Sequence, residues 1–244
     1  MDVFADLEAE HDRLDSILSG LDEASWLAPS AAMGWTIADV VLHLAQTDEM
    51  VVASINGTNL TELRPEDGTT LDAVMDSLVN AERADPAVTY QRWRDARRAS
   101  VAGLRTADPQ RPLAWAAAPL KPKALATTRI AEHWAHGLDI TDPLGIPFPD
   151  TDRLRHIAWL AHRSLPYAFA FAGEQPHDVF CELTAPDGVT AWQYGEPGTE
   201  STIKGSAGAF CRVGAQRLAA SDSDLETTGP HGATALRVLR NYAG

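Results

Sequence analysis

The chain has 244 residues, a hydrophobic fraction of 45% and a formal net charge of −14. This length and apolar content predict a folded protein with a sizeable core, in one large domain or two smaller ones, and exclude a largely disordered chain. The negative charge argues against nucleic acid and against an anionic membrane surface as partners.

The sequence also allows an expectation about the cellular compartment of the protein. No apolar run approaches the length of a bilayer span, and the first residues, Met-Asp-Val-Phe-Ala-Asp-Leu-Glu, lack the basic start of a signal peptide. Cys181 and Cys211 form neither a disulfide framework nor a metal-type spacing, so two reduced thiols are the simplest interpretation. We therefore expect a cytoplasmic protein, monomeric or homodimeric, whose partners are small molecules.

The first predicted element is an amphipathic helix from Asp2 to Leu21, in which apolar residues recur at spacings of three and four. His11 lies on its inward-facing stripe. A histidine at such a position is either a packed core residue, a fourth metal ligand, or a residue that orients a ligand. The sequence favours the packed residue on ordinary frequencies and leaves the other two open.

A loop is predicted for residues 26–35, and a second helix for residues 37 to about 56. Thr36 and Asp39 have the spacing of a capping box at its start. His43 falls beside the apolar stripe of this helix. Its ring either packs with a hydrogen-bonded partner or points into a helical bundle to bind something.

Residues 60–68 are predicted to form a surface loop, and two further helical segments follow, one near residues 71–79 and one from Pro86 to about Leu104. The second of these carries the densest basic run of the chain: Arg92, Arg94, Arg97 and Arg98. A solvated face paired with carboxylates is the first interpretation, and a docking surface for an anionic substrate is the second.

A helix predicted from Leu125 to Ile140 contains Glu132 and His136. Residues four apart lie one above the other on one helix face, so this carboxylate and this imidazole can hold one divalent cation. His133 and His136, three apart, form a competing pair. The alternative interpretation is an ordinary amphipathic helix with a polar stripe.

The remainder of the chain changes from helical to alternating patterns. A helix is predicted for residues 152–172, bent or ended by Pro166. Beyond Gly173, strands at 179–184 and 190–194 flank Pro-Asp-Gly and predict a β-hairpin. A third strand at 200–204 and helices at 207–217 and 232–241 complete an α+β chain, with a helical domain at 1–172 and a small α/β domain at 173–244.

The long helices predict an up-down four-helix bundle, whose core is where facing helices supply metal ligands. His43, Glu132 and His136 then form a set of three ligands. Three protein ligands leave a position for water or substrate, which is typical of catalytic zinc, although Ni²⁺, Fe²⁺ and Mn²⁺ suit the same set. Asp139 is placed to orient the ring of His136, or else faces solvent.

The segments around these residues, Trp35–Ala45 and Arg129–Asp139, resemble the two metal-binding signatures of the mycothiol-dependent maleylpyruvate isomerase family, part of the DinB-like four-helix superfamily. The tail is similar to the C-terminal domain of that family at residues 182–188, Trp192, Gly205 and Arg217. The resemblance implies that the three ligands bind a metal, most often Zn²⁺, and that mycothiol, a low-molecular-weight thiol, is the cofactor or co-substrate.

These expectations favour a thiol-dependent isomerase or S-transferase that acts on a small electrophilic or anionic substrate. A bound metal polarises a carbonyl or lowers the pKa of a thiol, which is the chemistry that such reactions need. Two alternatives remain. One is a thiol-independent metallohydrolase or lyase of a secondary-metabolite pathway, and the other is a non-catalytic protein in which the metal stabilises the bundle.

Arg217 is the candidate catalytic residue outside the metal site. The basic residues of the family do not map clearly onto this sequence, and Arg217 is the nearest by position. A guanidinium matches a carboxylate with two parallel hydrogen bonds. We expect residues beyond Gly173 to cover the open end of the bundle, with Arg217 among them; the alternative is a surface arginine paired with an acidic residue.

Overall fold

The structure, a computed structural model of the chain, describes residues 2–58, 69–115 and 118–241. The loop predicted at 60–68 lies outside the described residues. Contacts divide the chain into two compact units, one ending at Phe148 and one beginning at Pro149. None of the helices in the described ranges is both long enough and apolar enough to cross a membrane.

Four long helices form the bundle of the first unit. α3 packs against both α5 and α6, and α1 packs against the same two helices. Two shorter helices, α2 and α4, lie beside α3. The bounds of the six helices are α1 Val3–Leu18, α2 Glu23–Leu27, α3 Ile37–Ile55, α4 Leu71–Glu82, α5 Pro86–Thr106 and α6 Pro122–Leu144.

The local sequence explains where these helices start. Thr36 Oγ1 accepts a hydrogen bond from the backbone N–H of Asp39 at 3.2 Å, and Asp39 Oδ2 accepts one from the N–H of Thr36 at 2.9 Å, so the predicted capping box is confirmed. Pro86 occupies the first turn of α5, after Asp85 as N-cap. These caps fix the first turns of α3 and α5, which pack against each other.

All four long helices contribute side chains to an apolar cluster in the bundle core. Fully buried side chains contribute about 1.5–3 kcal/mol each to folding. Its central cluster includes Leu14, Leu18, Trp26, Ile37, Val40, Val41, Leu44, Trp93 and Ile140. Trp26 lies in α2, where the sequence predicts the start of a loop. This short helix forms because the indole of Trp26 is buried and α2 packs against α3.

α6 is longer than predicted, and Phe148, where the first unit ends, packs against it. Its last turn includes Pro143, and Gly145 ends it in a left-handed conformation with φ of 63°. The ring of Phe148 lies against Gly137, where a Cβ atom would be 2.5 Å from Cζ of the ring. A side chain at position 137 would therefore force the ring of Phe148 to move.

The second unit contains a four-stranded mixed sheet in the order β2-β1-β3-β4. β1 pairs antiparallel with β2, which confirms the predicted hairpin, and parallel with β3; β4, which was not predicted, pairs antiparallel with β3. The strands and helices of this unit are α7 Leu154–Arg163, α8 Leu165–Phe171, β1 Phe180–Thr184, β2 Ala191–Tyr194, β3 Thr202–Ser206, α9 Ala207–Gly214, β4 Glu226–Thr228 and α10 Gly232–Val238.

The boundary between the units precedes the one predicted after residue 172. α7 packs against α9 and β2, and α8 packs against α10, so the contacts place both helices in the second unit. The single helix predicted at 152–172 is divided at Ser164, and Pro166 lies in the first turn of α8. The α+β class, with a helical bundle followed by a small sheet-containing unit, is confirmed.

Candidate metal centre

His43, Glu132 and His136 lie together between α3 and α6. Nε2 of His43 is 3.6 Å from Oε2 of Glu132, and Nε2 of His136 is 3.7 Å from the same oxygen. One potential ligand atom from each residue lies within 4.8 Å of the other two. We call these three residues the bundle centre.

The helices position the three side chains by two separate means. Glu132 and His136 share a face of α6 because they are four residues apart. α3 is tied to α6 one turn beyond His43, where Nη2 of Arg129 donates to Oγ1 of Thr47 at 2.7 Å and Nε donates to Oδ1 of Asp48 at 3.1 Å. These bonds hold His43 opposite Glu132.

The protonation states of the bundle centre suit a cation. Burial lowers the pKa of His43 to about 4, so its ring is neutral at pH 7. For Glu132, burial alone would raise the pKa, but the hydrogen bond with His43 and the positive charge of Arg129 outweigh it and hold the pKa well below its ordinary value. The neutral ring of His43 and the carboxylate of Glu132 are therefore available as donors.

Asp139 holds the ring of His136 in one orientation. Its buried Oδ2 is 2.9 Å from Nδ1 of His136 and accepts a hydrogen bond from the N–H of that nitrogen. The remaining nitrogen, Nε2, then carries a lone pair on the side of Glu132. The structure thus shows the orienting contact that the sequence offered as one of two interpretations.

Access to the bundle centre is from the side of Glu132, whose side chain is 29% exposed, against 8% for His43 and 13% for His136. The indole of Trp35 covers part of this side, with its centroid 5.1 Å from the His43 ring and 6.4 Å from the His136 ring. Nε1 of Trp35 donates to Asp76 at 2.9 Å, which fixes the indole. Sequence reasoning did not identify Trp35 as a site residue.

The structure separates His133 and His11 from the bundle centre. Both lie in a second buried group with Asp48. His133 therefore does not form the competing pair with His136, since it points to another face of α6. Asp48 was not singled out in the sequence, because its position opposite His133 depends on how α3 and α6 are rotated against each other.

The basic run of α5 is paired with carboxylates, which supports the first of its two interpretations. Arg92 binds Glu49 at 2.7 Å, and Arg97 binds Asp12 at 2.8 Å and Asp15 at 2.9 Å. Arg94 also contacts Asp15. Such pairs occupy the guanidinium groups that a docked anion would need.

Arg217 lies in the second unit, just after α9. Its Nη1 donates to the backbone oxygen of Ala215 at 2.8 Å, and its backbone N–H donates to the oxygen of Arg212 at 2.8 Å. Gln216, the preceding residue, has a positive φ of 58°. This turn fixes the backbone of Arg217, while its role in substrate binding stays a prediction.

The chain is similar to several known proteins. The sequence model described as the mycothiol maleylpyruvate isomerase N-terminal domain matches residues 7–141. Two proteins named as uncharacterised, from two strains of Mycobacterium tuberculosis, are each 34% identical over 244 residues, covering 98% of this chain and 95% of the relative.

The fold is similar to that of solved structures. The crystal structure of the mycothiol-dependent maleylpyruvate isomerase matches with a TM-score of 0.61 at 16% identity, and that of a histidine-to-alanine mutant of it matches with 0.62 at 15%. Each match covers 92% of this chain and 91% of the other. At this identity the likeness establishes a shared fold.

The matched residues 7–141 are more than half of the 244 in the chain and include all three residues of the bundle centre. The resemblance inferred from the segments around His43 and His136 is thereby confirmed, and the chain belongs to the mycothiol maleylpyruvate isomerase family.

Proposed function

We propose that this protein is a metal-dependent isomerase that uses mycothiol and acts on a small, conjugated, anionic substrate. The observation that carries the proposal is the convergence of His43, Glu132 and His136, in which the ring of His43 is neutral and the carboxylate of Glu132 is ionised. The family match and the names of the solved structures support the thiol and the reaction type.

The donor set of the bundle centre fits a divalent transition metal. Two imidazole nitrogens and one carboxylate oxygen are ligands that Zn²⁺ accepts, and Ni²⁺, Fe²⁺ and Mn²⁺ accept them as well. A metal bound there would supply a Lewis acid that polarises a carbonyl or lowers the pKa of a thiol. Asp139 keeps the proton of His136 on Nδ1, so Nε2 stays available as a donor.

The reaction proposed is a cis–trans isomerisation assisted by the thiol. A thiolate bound at the bundle centre would add to one carbon of the cis double bond and move the electron pair of that bond onto the conjugated carbonyl oxygen. The former double bond would then be single and could rotate. Expulsion of the same thiolate restores the double bond in the trans form, so no oxidant or reductant is consumed. Trp35 limits the access of water to this side of the bundle centre, because its indole lies over both histidine rings.

Arg217 is the residue that we propose to bind a carboxylate of the substrate. The support is chemical: its guanidinium is always charged, and its turn is fixed by the hydrogen bond to Ala215.

The direct test uses the full chain loaded with Zn²⁺, mycothiol and maleylpyruvate, with the cis and trans isomers separated by chromatography. Turnover that requires both metal and thiol, and that is lost in His136→Ala, is the expected result. His156→Ala, a histidine of the second unit, is the matched control and should be active. Accumulation of a thiol–substrate adduct would indicate an S-transferase instead, and turnover without thiol would contradict the proposal.

A further inference from the structure

A second group of potential ligands lies deeper in the bundle than the first. His11 of α1, Asp48 of α3 and His133 of α6 are each no more than 1% exposed. We call these three residues the deep cluster. Nε2 of His133 is 3.3 Å from Oδ2 of Asp48, and Nε2 of His11 is 4.0 Å from the same oxygen. One ligand atom from each lies within 4.8 Å of the others.

Two atoms of the deep cluster lack hydrogen-bond partners. Among the described residues, neither Nε2 of His11 nor Oδ2 of Asp48 makes a hydrogen bond, although both are buried. A buried polar atom without a partner is costly, and proteins seldom retain one without a reason. Since Oδ2 of Asp48 lies 4.0 Å from Nε2 of His11 and 3.3 Å from Nε2 of His133, one cation placed among the three would satisfy both unpartnered atoms.

The tautomer of His133 favours a metal ligand. Nδ1 of His133 is 2.9 Å from the backbone oxygen of Arg129, which only accepts hydrogen bonds, so the proton lies on Nδ1. In the neutral ring, Nε2 then carries the lone pair. The ring of His11 lies beside it, with a centroid separation of 4.2 Å.

A surface cleft adjoins the deep cluster at His11. A cleft of about 420 Å³ is lined by Glu8, His11, Asp12, Arg97, Arg98 and Val101. His11 belongs both to this cleft and to the deep cluster. The cleft carries charges of both signs, since Asp12 binds Arg97 and Glu8 binds Arg105.

We infer that the deep cluster is a second site for a divalent transition metal such as Zn²⁺ or Co²⁺, distinct from the bundle centre and independent of the proposed function. Two contacts make it the weaker site. Arg129 already neutralises Asp48 through Oδ1 at 3.1 Å, and its charge opposes that of a metal. The indole Nε1–H of Trp93 donates to Nε2 of His133 at 3.3 Å and competes for its lone pair.

The experiment counts metal ions in the full chain. Metal-free protein is titrated with Co²⁺, followed by its absorption spectrum, and the bound metal is then counted by mass spectrometry after gel filtration. We expect two ions per chain, one bound more weakly. His11→Phe keeps the ring packing but removes the nitrogen, and it should remove only the weaker ion. His43→Phe should remove only the tighter one.

A third variant tests whether the indole of Trp93 competes with the metal for Nε2 of His133. Trp93→Phe removes the indole N–H and keeps an aromatic ring, so the weaker ion should bind about tenfold more tightly while the tighter ion is unaffected. Circular dichroism and thermal unfolding of each variant check that it is folded.

The outcomes separate the two proposals. One ion per chain in the wild type, lost in His43→Phe, would overturn the second site and leave the bundle centre intact. A weaker ion that persists in His11→Phe would place it elsewhere and would also overturn the inference. If the wild type binds a single ion that is lost in His11→Phe and kept in His43→Phe, the bundle centre holds no metal. That result would support the second site and contradict the proposed function.

Discussion

Arg129 and Asp48 form an ion pair buried between α6 and α3, with Nε 3.1 Å from Oδ1 and the two side chains 1% and 0% exposed. The same guanidinium donates to Thr47, whose Oγ1 donates to the backbone oxygen of His43 at 2.8 Å. The pair therefore fixes how α3 lies against α6. It links the deep cluster to the helix turn that carries His43.

Replacing Arg129 by Met should destabilise the protein by about 3–5 kcal/mol, because the carboxylate of Asp48 would be left buried without its cation. Unfolding in urea at pH 7 measures the loss. Arg98→Met is the matched control: Arg98 is 60% exposed and pairs only loosely, at 3.7 Å, with Asp95, so its replacement should cost under about 1 kcal/mol. Equal losses in the two variants would show that the buried pair has no special role.

Asp139→Ala should weaken metal binding at the bundle centre by about 10- to 100-fold, a magnitude typical of losing the partner of a ligating histidine. The reason is that Oδ2 of Asp139 holds Nδ1–H of His136 and so orients its ring. Competition with a chelator measures the affinity. Asp139→Asn keeps an oxygen acceptor and should lose less. An Asp139→Ala protein with the affinity of the wild type would remove Asp139 from the site.

The bundle centre could be predicted from the sequence because its geometry is mostly local. Glu132 and His136 are four apart on one helix, and the capped start of α3 at Thr36 fixes where His43 lies along its own helix. Asp48 and Trp35 could not be assigned in this way. Their places depend on the rotation of α3 against α6 and on the path of the loop before α3, and neither is encoded in residue spacing.

The second unit, too, could be predicted only in part from the sequence. The hairpin of β1 and β2 was predictable because the turn at Asp187 and Gly188 is local, with Asp187 accepting from the N–H groups of Val189 and Thr190 and Gly188 at a φ of 74°. β4, three residues long, forms only because β3 is beside it. Likewise, the amphipathic pattern of α7 predicts a buried face and not which unit covers that face.

Asp39 should make the stability of the protein depend on pH. Burial alone would raise its pKa, but hydrogen bonds from Arg83 and Thr36 outweigh this and lower it. Since the folded pKa is below the unfolded value of about 3.9, the stabilisation is complete above that value and is lost as the pH falls through the folded pKa. Arg83 is half-exposed, so we expect about 1 kcal/mol at pH 7.

The measurement is the free energy of unfolding of wild type and Asp39→Asn at pH 7, 5 and 3. The difference between the two proteins should be largest at pH 7 and 5 and should shrink at pH 3. Arg83→Met removes the ion pair but leaves the capping box with Thr36. At pH 7 its free energy of unfolding should therefore differ less from that of the wild type than the value for Asp39→Asn does. A difference that is constant across this range would contradict the assignment.

Arg217→Lys should weaken the binding of an anionic substrate or thiol by about ten- to a hundredfold, because an ammonium group cannot reproduce two parallel hydrogen bonds to a carboxylate. Metal content and melting temperature should be unchanged, since the positive charge is retained and the residue is only half-buried. Arg237→Lys is the control, as Arg237 is exposed and pairs with Glu174 at 2.8 Å. KM and kcat of both variants are compared with those of the wild type. If Arg217→Lys has the KM of the wild type, Arg217 does not bind the substrate, and the anion must be held by another residue.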